Sequence, residues 1–229
     1  MRFFIISSII CFLCFSCCPK QNEHSNNITE GEILYTISYP QDIESQDFSF
    51  IYPKEMTLFF KDNYQRLSFK GNMGMYYFDF IYKDKIDTVY TLLKIQLLGQ
   101  KLYVPTCGTS LLVFSESPED RETILTNETK EISGIVAKKA ILKSLISENS
   151  DIVVWYSDSV SIESPNQNTP FYQIPGILLE SEIIFKSVKF IFSAKKITFK
   201  KVPDEMFKVP AEYKLTTISE IEELLYSVF

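Results

Sequence analysis

Ile152-Val153-Val154-Trp155-Tyr156, a polar loop over 157–168, a return through Thr169-Pro170-Phe171, and Ile174-Pro175-Gly176-Ile177-Leu178-Leu179-Glu180 decide how this chain is read. The first run is short, β-branched and aromatic, as a buried strand is. The last opens two more strand-like runs, so 151–202 reads as a strand, a wide turn and a hairpin. In that hairpin Val188, Phe190, Phe192 and Ala194 share one face, whereas Ile197 and Phe199 are out of phase by one residue. A bulge near Lys195-Lys196 reconciles them and curls the sheet.

Outward from there the period stays near two. Ile33, Tyr35, Ile37 and Tyr39 alternate with Leu34, Thr36 and Ser38 in a first strand closed by Pro40. Met56–Phe60 and Gln65–Phe69 flank a turn at Asp62-Asn63, a hairpin signature. Strands are expected next over 75–82 and 87–98, and the first is apolar on both sides. Tyr76, Phe78 and Phe80 occupy one face, and Met75, Tyr77 and Ile81 the other, so the strand is either covered twice or lines a cavity. Shorter strands are expected over 101–104, 111–114, 123–126, 135–146 and 152–156, with a charged loop over 116–121. Short connections favour antiparallel neighbours.

The end of the chain changes period. Thr217 with Glu220 three residues on makes a capping box. Ile218, Ile221, Leu224, Leu225 and Val228 then form one helical stripe. The fold class is mainly β: a single curved antiparallel sheet, or incomplete barrel, of about ten strands, with a C-terminal amphipathic helix over its concave face. The 229 residues, 45% hydrophobic, suit one domain.

Four of the five cysteines, Cys11, Cys14, Cys17 and Cys18, fall near the N-terminus, leaving Cys107 in the body. No disulfide framework or metal-ligand spacing follows. Met1-Arg2 opens a positive segment, and residues 3–15 are almost wholly apolar. A bilayer span needs about twenty such residues, so this is a secretory h-region. Ser16 before Cys17 resembles a bacterial lipoprotein signal, with Cys17 acylated and Cys18 the alternative. Acyl chains then anchor the protein without a transmembrane helix. The expected divisions are a signal peptide over 1–16, a lipidated tether over 17–30 carrying His24, and the β domain over 31–229.

The segment Thr169-Pro170-Phe171 through Glu180 resembles the GLPGLI-type signature of uncharacterised lipoproteins in Bacteroidetes-like bacteria. Gly31-Glu32-Ile33-Leu34-Tyr35, Asn127-Glu128-Thr129-Lys130-Glu131-Ile132-Ser133-Gly134 and Phe207-Lys208-Val209-Pro210-Ala211-Glu212-Tyr213 are similar to the same group, in the same order. The resemblance implies a fold like the lipoprotein carriers LolA and LolB, an incomplete barrel with a helical lid over an apolar cavity. It brings no established activity.

Chemistry is sparse. The net charge is −6 and no basic cluster interleaves with aromatics, so nucleic acid is not an expected partner. Without a body histidine no Ser-His or Cys-His arrangement can be built. Ser193-Ala194-Lys195-Lys196 matches Ser-x-x-Lys, but on a regular strand the two ends point to opposite sides. Asp79 on an apolar strand reads as a solvated or edge carboxylate. Asp87-Thr88-Val89 and Asp158-Ser159-Val160 resemble Asp-Ser/Thr-aliphatic acceptors of O-glycosylation, at Thr88 and Ser159.

The function expected is therefore non-catalytic, with no cofactor and no metal. A monomeric, membrane-anchored envelope lipoprotein, at the outer membrane and facing either the periplasm or the surface, binds a lipid or acyl chain in its half-barrel. The candidate lining is Phe78, Phe80, Trp155, Phe171, Ile177, Leu179, Phe190, Phe192, Leu224 and Leu225. The alternative is an envelope scaffold or protein-interaction module with a filled core.

Overall fold

The computed structural model describes residues 29–45, 49–83, 88–107, 120–146, 151–162, 164–167, 169–185 and 188–228. The leader with Cys17 and Cys18, the tether as far as residue 28, and the strand expected over 111–114 lie outside them.

The N-terminal half contains β1 (Glu30–Ser38), a one-turn helix α1 (Gln41–Glu44), β2 (Glu55–Lys61), β3 (Tyr64–Lys70), β4 (Tyr76–Lys83), β5 (Thr88–Ile95) and β6 (Gln100–Cys107). The rest contains β7 (Arg121–Ile132), β8 (Ile135–Ser144), β9 (Ile152–Ser157), β10 (Ile177–Phe185), β11 (Val188–Phe199), β12 (Lys214–Leu215) and helix α2 (Ile218–Val228). All strands join one 12-stranded sheet in the order β12-β6-β5-β4-β3-β2-β1-β11-β10-β9-β8-β7. The two ends of that order, β12 and β7, do not pair, so the curved sheet stays open.

Two details refine the sequence reading. Leu34 faces Lys196 while Tyr35 faces Ala194, so Lys195 is the extra residue of a bulge at the expected place. The sheet is not wholly antiparallel, because β12 pairs parallel with β6.

The inner face carries three apolar clusters. The largest joins Tyr35, Ile37, Met56, Leu58 and Phe60 to Phe190, Phe192 and Ala194. A second puts Tyr76, Phe78, Phe80, Val89, Leu93 and Val104 against Ile221 and Leu225 of α2. The third places Phe171 and Ile174 on Leu142, Ile152, Val154 and Tyr156. The outer face of β4 and β5 is covered too. Ile81 and Leu92 pack with Val202, Met206, Phe207, Val209 and Tyr213 of the segment after β11.

The double covering inferred for β4 thus has one source. The tail crosses the outer face, adds β12 beyond β6, and sets α2 on the inner face. Lys61 donates to the Val202 carbonyl at 3.3 Å, Arg66 Nη1 to the Met206 carbonyl at 3.0 Å, and the Val202 amide to Glu30 at 3.0 Å. At the start of α2 the Glu220 amide donates to Thr217 Oγ1 at 3.2 Å. The Glu220 carboxylate accepts from the side-chain hydroxyl of Thr216, one residue before the cap, where a capping box would take a backbone amide. Ile218, 38% exposed, lies outside the buried stripe.

Candidate apolar cleft

Alternation along β1 to β4 turns Tyr35, Met56, Leu58, Gln65, Leu67 and Tyr82 to the inner face, and Ile183 and Phe192 join them from β10 and β11. Above this floor run Pro165, Asn166, Thr169 and Phe171 from the loop between β9 and β10, with Ile177 and Leu178. Together they enclose a cleft of about 70 Å³, large enough for a few water molecules.

Hydrogen bonds hold the loop in place as a roof. Gln65, 1% exposed, donates through Nε2 to the Pro165 carbonyl at 3.0 Å, and its Oε1 accepts from the Tyr82 hydroxyl at 3.1 Å. The Asn166 amide donates to the carbonyls of Ile174 and Gly176 at 2.9 and 2.8 Å, folding the loop back on itself. The Tyr35 hydroxyl donates to the Leu178 carbonyl at 2.7 Å. Gly176 is required where the roof meets β9, since a Cβ there would stand 2.3 Å from the Ser157 carbonyl oxygen. Burial drives the Tyr35 and Tyr82 hydroxyls well above the ordinary tyrosine range, and the neighbouring Tyr82 raises Tyr35 further. Among the described residues no charged side chain lines the cleft.

Of the residues named from the sequence as a candidate lining, Phe171, Ile177 and Phe192 border this cleft. The other candidates pack elsewhere. Phe78, Phe80, Leu224 and Leu225 fill the contact beneath α2. Leu179 is core, and Phe190 packs edge-on against Tyr39 with ring centres 5.1 Å apart. The Trp155 ring lies under Lys130 Nζ at 4.3 Å, beside the Lys130–Glu180 ion pair. This opening therefore lies beneath the loop, while the described contact beneath the helix is filled by side chains. Gln65, Asn166 and Tyr82 escaped notice because polar residues at inward positions are hard to tell from solvent-facing ones until the register is known.

Asp79 corrects the sequence reading. Its side chain is 3% exposed, on the outer face beneath the tail, and Oδ2 lies 2.7 Å from Arg66 Nη2. Ser193 and Lys196 need a correction as well. They face Thr36 and Leu34, two positions on one side of β1, so the bulge returns both to the same face. Two strand steps, roughly 6–7 Å, still separate them along the chain.

Thr88 is half-buried at the start of β5 and faces Cys107. Ser159 is exposed and its oxygen accepts from the Ser157 hydroxyl at 3.0 Å. Beside it, a hydrogen bond from Lys138 at 2.6 Å holds the Asp158 carboxyl below its usual range. Among the described residues no group of His, Cys, Asp or Glu could hold a metal ion, and no helix is long and apolar enough to cross a membrane.

Fold and cleft together define an open half-barrel, antiparallel but for β12, with an apolar interior and two covers, a loop and a helix. No family model and no curated protein matches the chain. Among solved structures it is similar to PNGF-II in its C2 crystal form, with a TM-score of 0.51 and 15% identity over 87% of this chain and 33% of that one. The P21 form gives 0.50 and 17%, over 87% and 34%. The chain thus spans about a third of PNGF-II, and the likeness is one of fold. MucB in complex with MucA(peri) aligns at a TM-score of 0.41 with 9% identity, over 85% of this chain and 59% of that one.

Proposed function

We propose that this protein is a membrane-anchored envelope lipoprotein, held through acylated Cys17 or Cys18, whose half-barrel binds the end of an apolar ligand without catalysis. The observation that carries the reading is the cleft: an uncharged apolar opening whose polar atoms are spent on fastening its own roof. Ligand-sized pockets run to about 300 Å³ and more, so a whole lipid does not fit the closed state. A chain terminus or a bulky aliphatic group does, and lifting the roof at Gln65 lengthens the space. The lipoprotein signal and the GLPGLI-like segment, which contributes Phe171, Ile177 and Leu178 to the cleft, support the same reading.

The test is organic extraction of the purified full-length protein followed by lipid mass spectrometry, alongside an Ile183→Trp variant that fills the cleft. Lipid bound to the parent and reduced in the variant supports the reading; a parent that carries none, and takes up no added fatty acid, refutes it. Anchoring is tested separately. A Cys17→Ala/Cys18→Ala protein should leave the membrane fraction, and its retention there would refute the lipoprotein assignment.

A second reading, an envelope interaction module with a filled interior, is favoured by one observation. Phe78, Phe80, Leu179, Phe190 and Leu225 are all buried by the protein's own elements. It predicts the empty, non-binding parent above.

A further inference from the structure

One end of the sheet presents large apolar side chains to solvent. The β3–β4 connection and the β5–β6 connection lie side by side there, because Lys70 faces Tyr77, Tyr76 faces Ile95, and Ile95 faces Gln100. The Gln96 amide donates to the Met75 carbonyl at 2.8 Å, tying the two turns together. Met73 is 94% exposed, Leu97 92%, Leu98 57% and Met75 38%. Isolated exposed apolar residues need no explanation, but several on adjoining turns do.

The backbone sharpens the point. Met73 has φ 52°, in the left-handed region that disfavours a side chain, and Gly74 follows at φ 74°. Both turns are closed by their own hydrogen bonds, Gly74 to Gly71 at 3.0 Å and Gly99 to Gln96 at 3.2 Å. The Met73 side chain is thus held outward at a conformational cost, with no contact inside the fold to offset it.

Lysines surround these residues. Lys70 is exposed, with its Cε passing 3.8 Å from where a Cβ on Gly74 would stand. Lys94 lies over the Tyr77 ring at 5.0 Å. Lys101 lies 3.4 Å from Glu212 and neutralises that acid. Apolar tips flanked by Lys70 and Lys94, which outnumber the nearby acids Glu55 and Glu212 once Lys101 is counted, on a chain whose net charge is −6, match a surface with fatty chains below and negative charge above.

We propose that the Met73–Met75 and Leu97–Leu98 turns are a membrane-docking tip that inserts shallowly into a bilayer containing anionic lipid. This contact is independent of the cleft and of the N-terminal anchor. An acyl anchor limits where the protein can go, whereas the tip fixes which end of the half-barrel faces lipid. β1 starts at the opposite end of the sheet, since the Asp62 amide in the β2–β3 turn bonds the Thr29 carbonyl at 2.6 Å. A docked tip therefore requires the tether to run back along the domain.

The experiment places a fluorescent reporter at the tip of the full-length chain. Leu97→Trp and, as control, Val136→Trp at a 59% exposed site on β8 are each mixed with vesicles of phosphatidylethanolamine and phosphatidylglycerol. Leu97→Trp emission is expected to move to shorter wavelength and to lose iodide quenching, while Val136→Trp stays unchanged. Adding Lys70→Gln and Lys94→Gln should diminish the Leu97→Trp shift, as should replacing the anionic lipid with phosphatidylcholine. Because the reading is local, leader-driven recruitment alone does not produce it. An unshifted Leu97→Trp, as a protein-docking tip would give, overturns the proposal, and so does an equal shift at both sites.

Discussion

Removing the Asp79 carboxylate should be among the most costly single changes to this fold. Arg66 and Asp79 stand on adjacent strands under the tail, 15% and 3% exposed, with one N–O contact of 2.7 Å. Arg66 also donates to the Met206 carbonyl. Asp79→Ala leaves a guanidinium under the tail without its counterion, which costs about 3–5 kcal/mol. A domain's whole stability is roughly 5–15 kcal/mol, so the single variant stands near the margin. The pair itself is not a strong stabiliser. Asp79 Oδ1 and Arg66 Nε find no hydrogen-bond partner among the described residues, so desolvation is only partly offset. Arg66→Met/Asp79→Leu should therefore regain most of the loss, ending within about 1–2 kcal/mol of the parent. Equilibrium unfolding in urea of the parent, both single variants and the double closes the cycle. A cost below about 1 kcal/mol for Asp79→Ala, or a double variant as unstable as the sum of the singles, would refute the argument.

Two further outcomes follow from the packing. Ile221→Ala in α2, at a site with no exposure, should cost about 2–5 kcal/mol by cavity formation, read as a lowered urea midpoint with unchanged slope; a cost under about 1 kcal/mol would mean α2 is not seated. In alkali, Tyr35, Tyr39, Tyr76, Tyr82 and Tyr213 resist ionisation, chiefly through burial, and Tyr213 is pushed up to about 12. Their folded-state values lie above the ordinary 10, so the stability they contribute is intact below pH 10 and falls as pH rises past it. Absorbance at the phenolate band should show these groups titrating together with unfolding rather than as a free tyrosine titration.

What the sequence exposed was whatever repeats locally. The phase slip between Ala194 and Ile197 located the bulge, because alternation is a property of one strand. β7 was harder: 121–132 is three times the length expected, since its polar stretch Asn127–Glu131 offers no apolar alternation. Its pairing with β8 also jumps between Leu125 and Thr129. Asp79 was misjudged because its partner sits on another strand, and burial comes from a tail more than a hundred residues away. The two residues of β12 are invisible to any period. A polar residue beside Phe78 and Phe80, with an arginine diagonally across from it on the preceding strand and on the same face, is the signal that would have found the pair.

The position of the cleft follows from how the inner face is divided. α2 covers β4 to β6 through Ile221 and Leu225, and Phe171 with Ile174 covers β8 and β9. The helix does not extend over the middle, where β1 to β3 meet β10 and β11, and the loop reaches it only through Pro165, Asn166 and Thr169, which is where the opening lies. The helix is seated by apolar burial, and so is the far end of the loop through Phe171 and Ile174, whereas the part of the loop above the cleft is tied to the sheet by the Gln65 hydrogen bond to Pro165. A hydrogen bond contributes only about 0.5–1.5 kcal/mol net, against several kcal/mol for the buried face of a helix. The Pro165 end of the loop is therefore the part that yields first, with Phe171 and Ile174 left seated, and a ligand can reach the interior without unseating the helix or the tail that carries it.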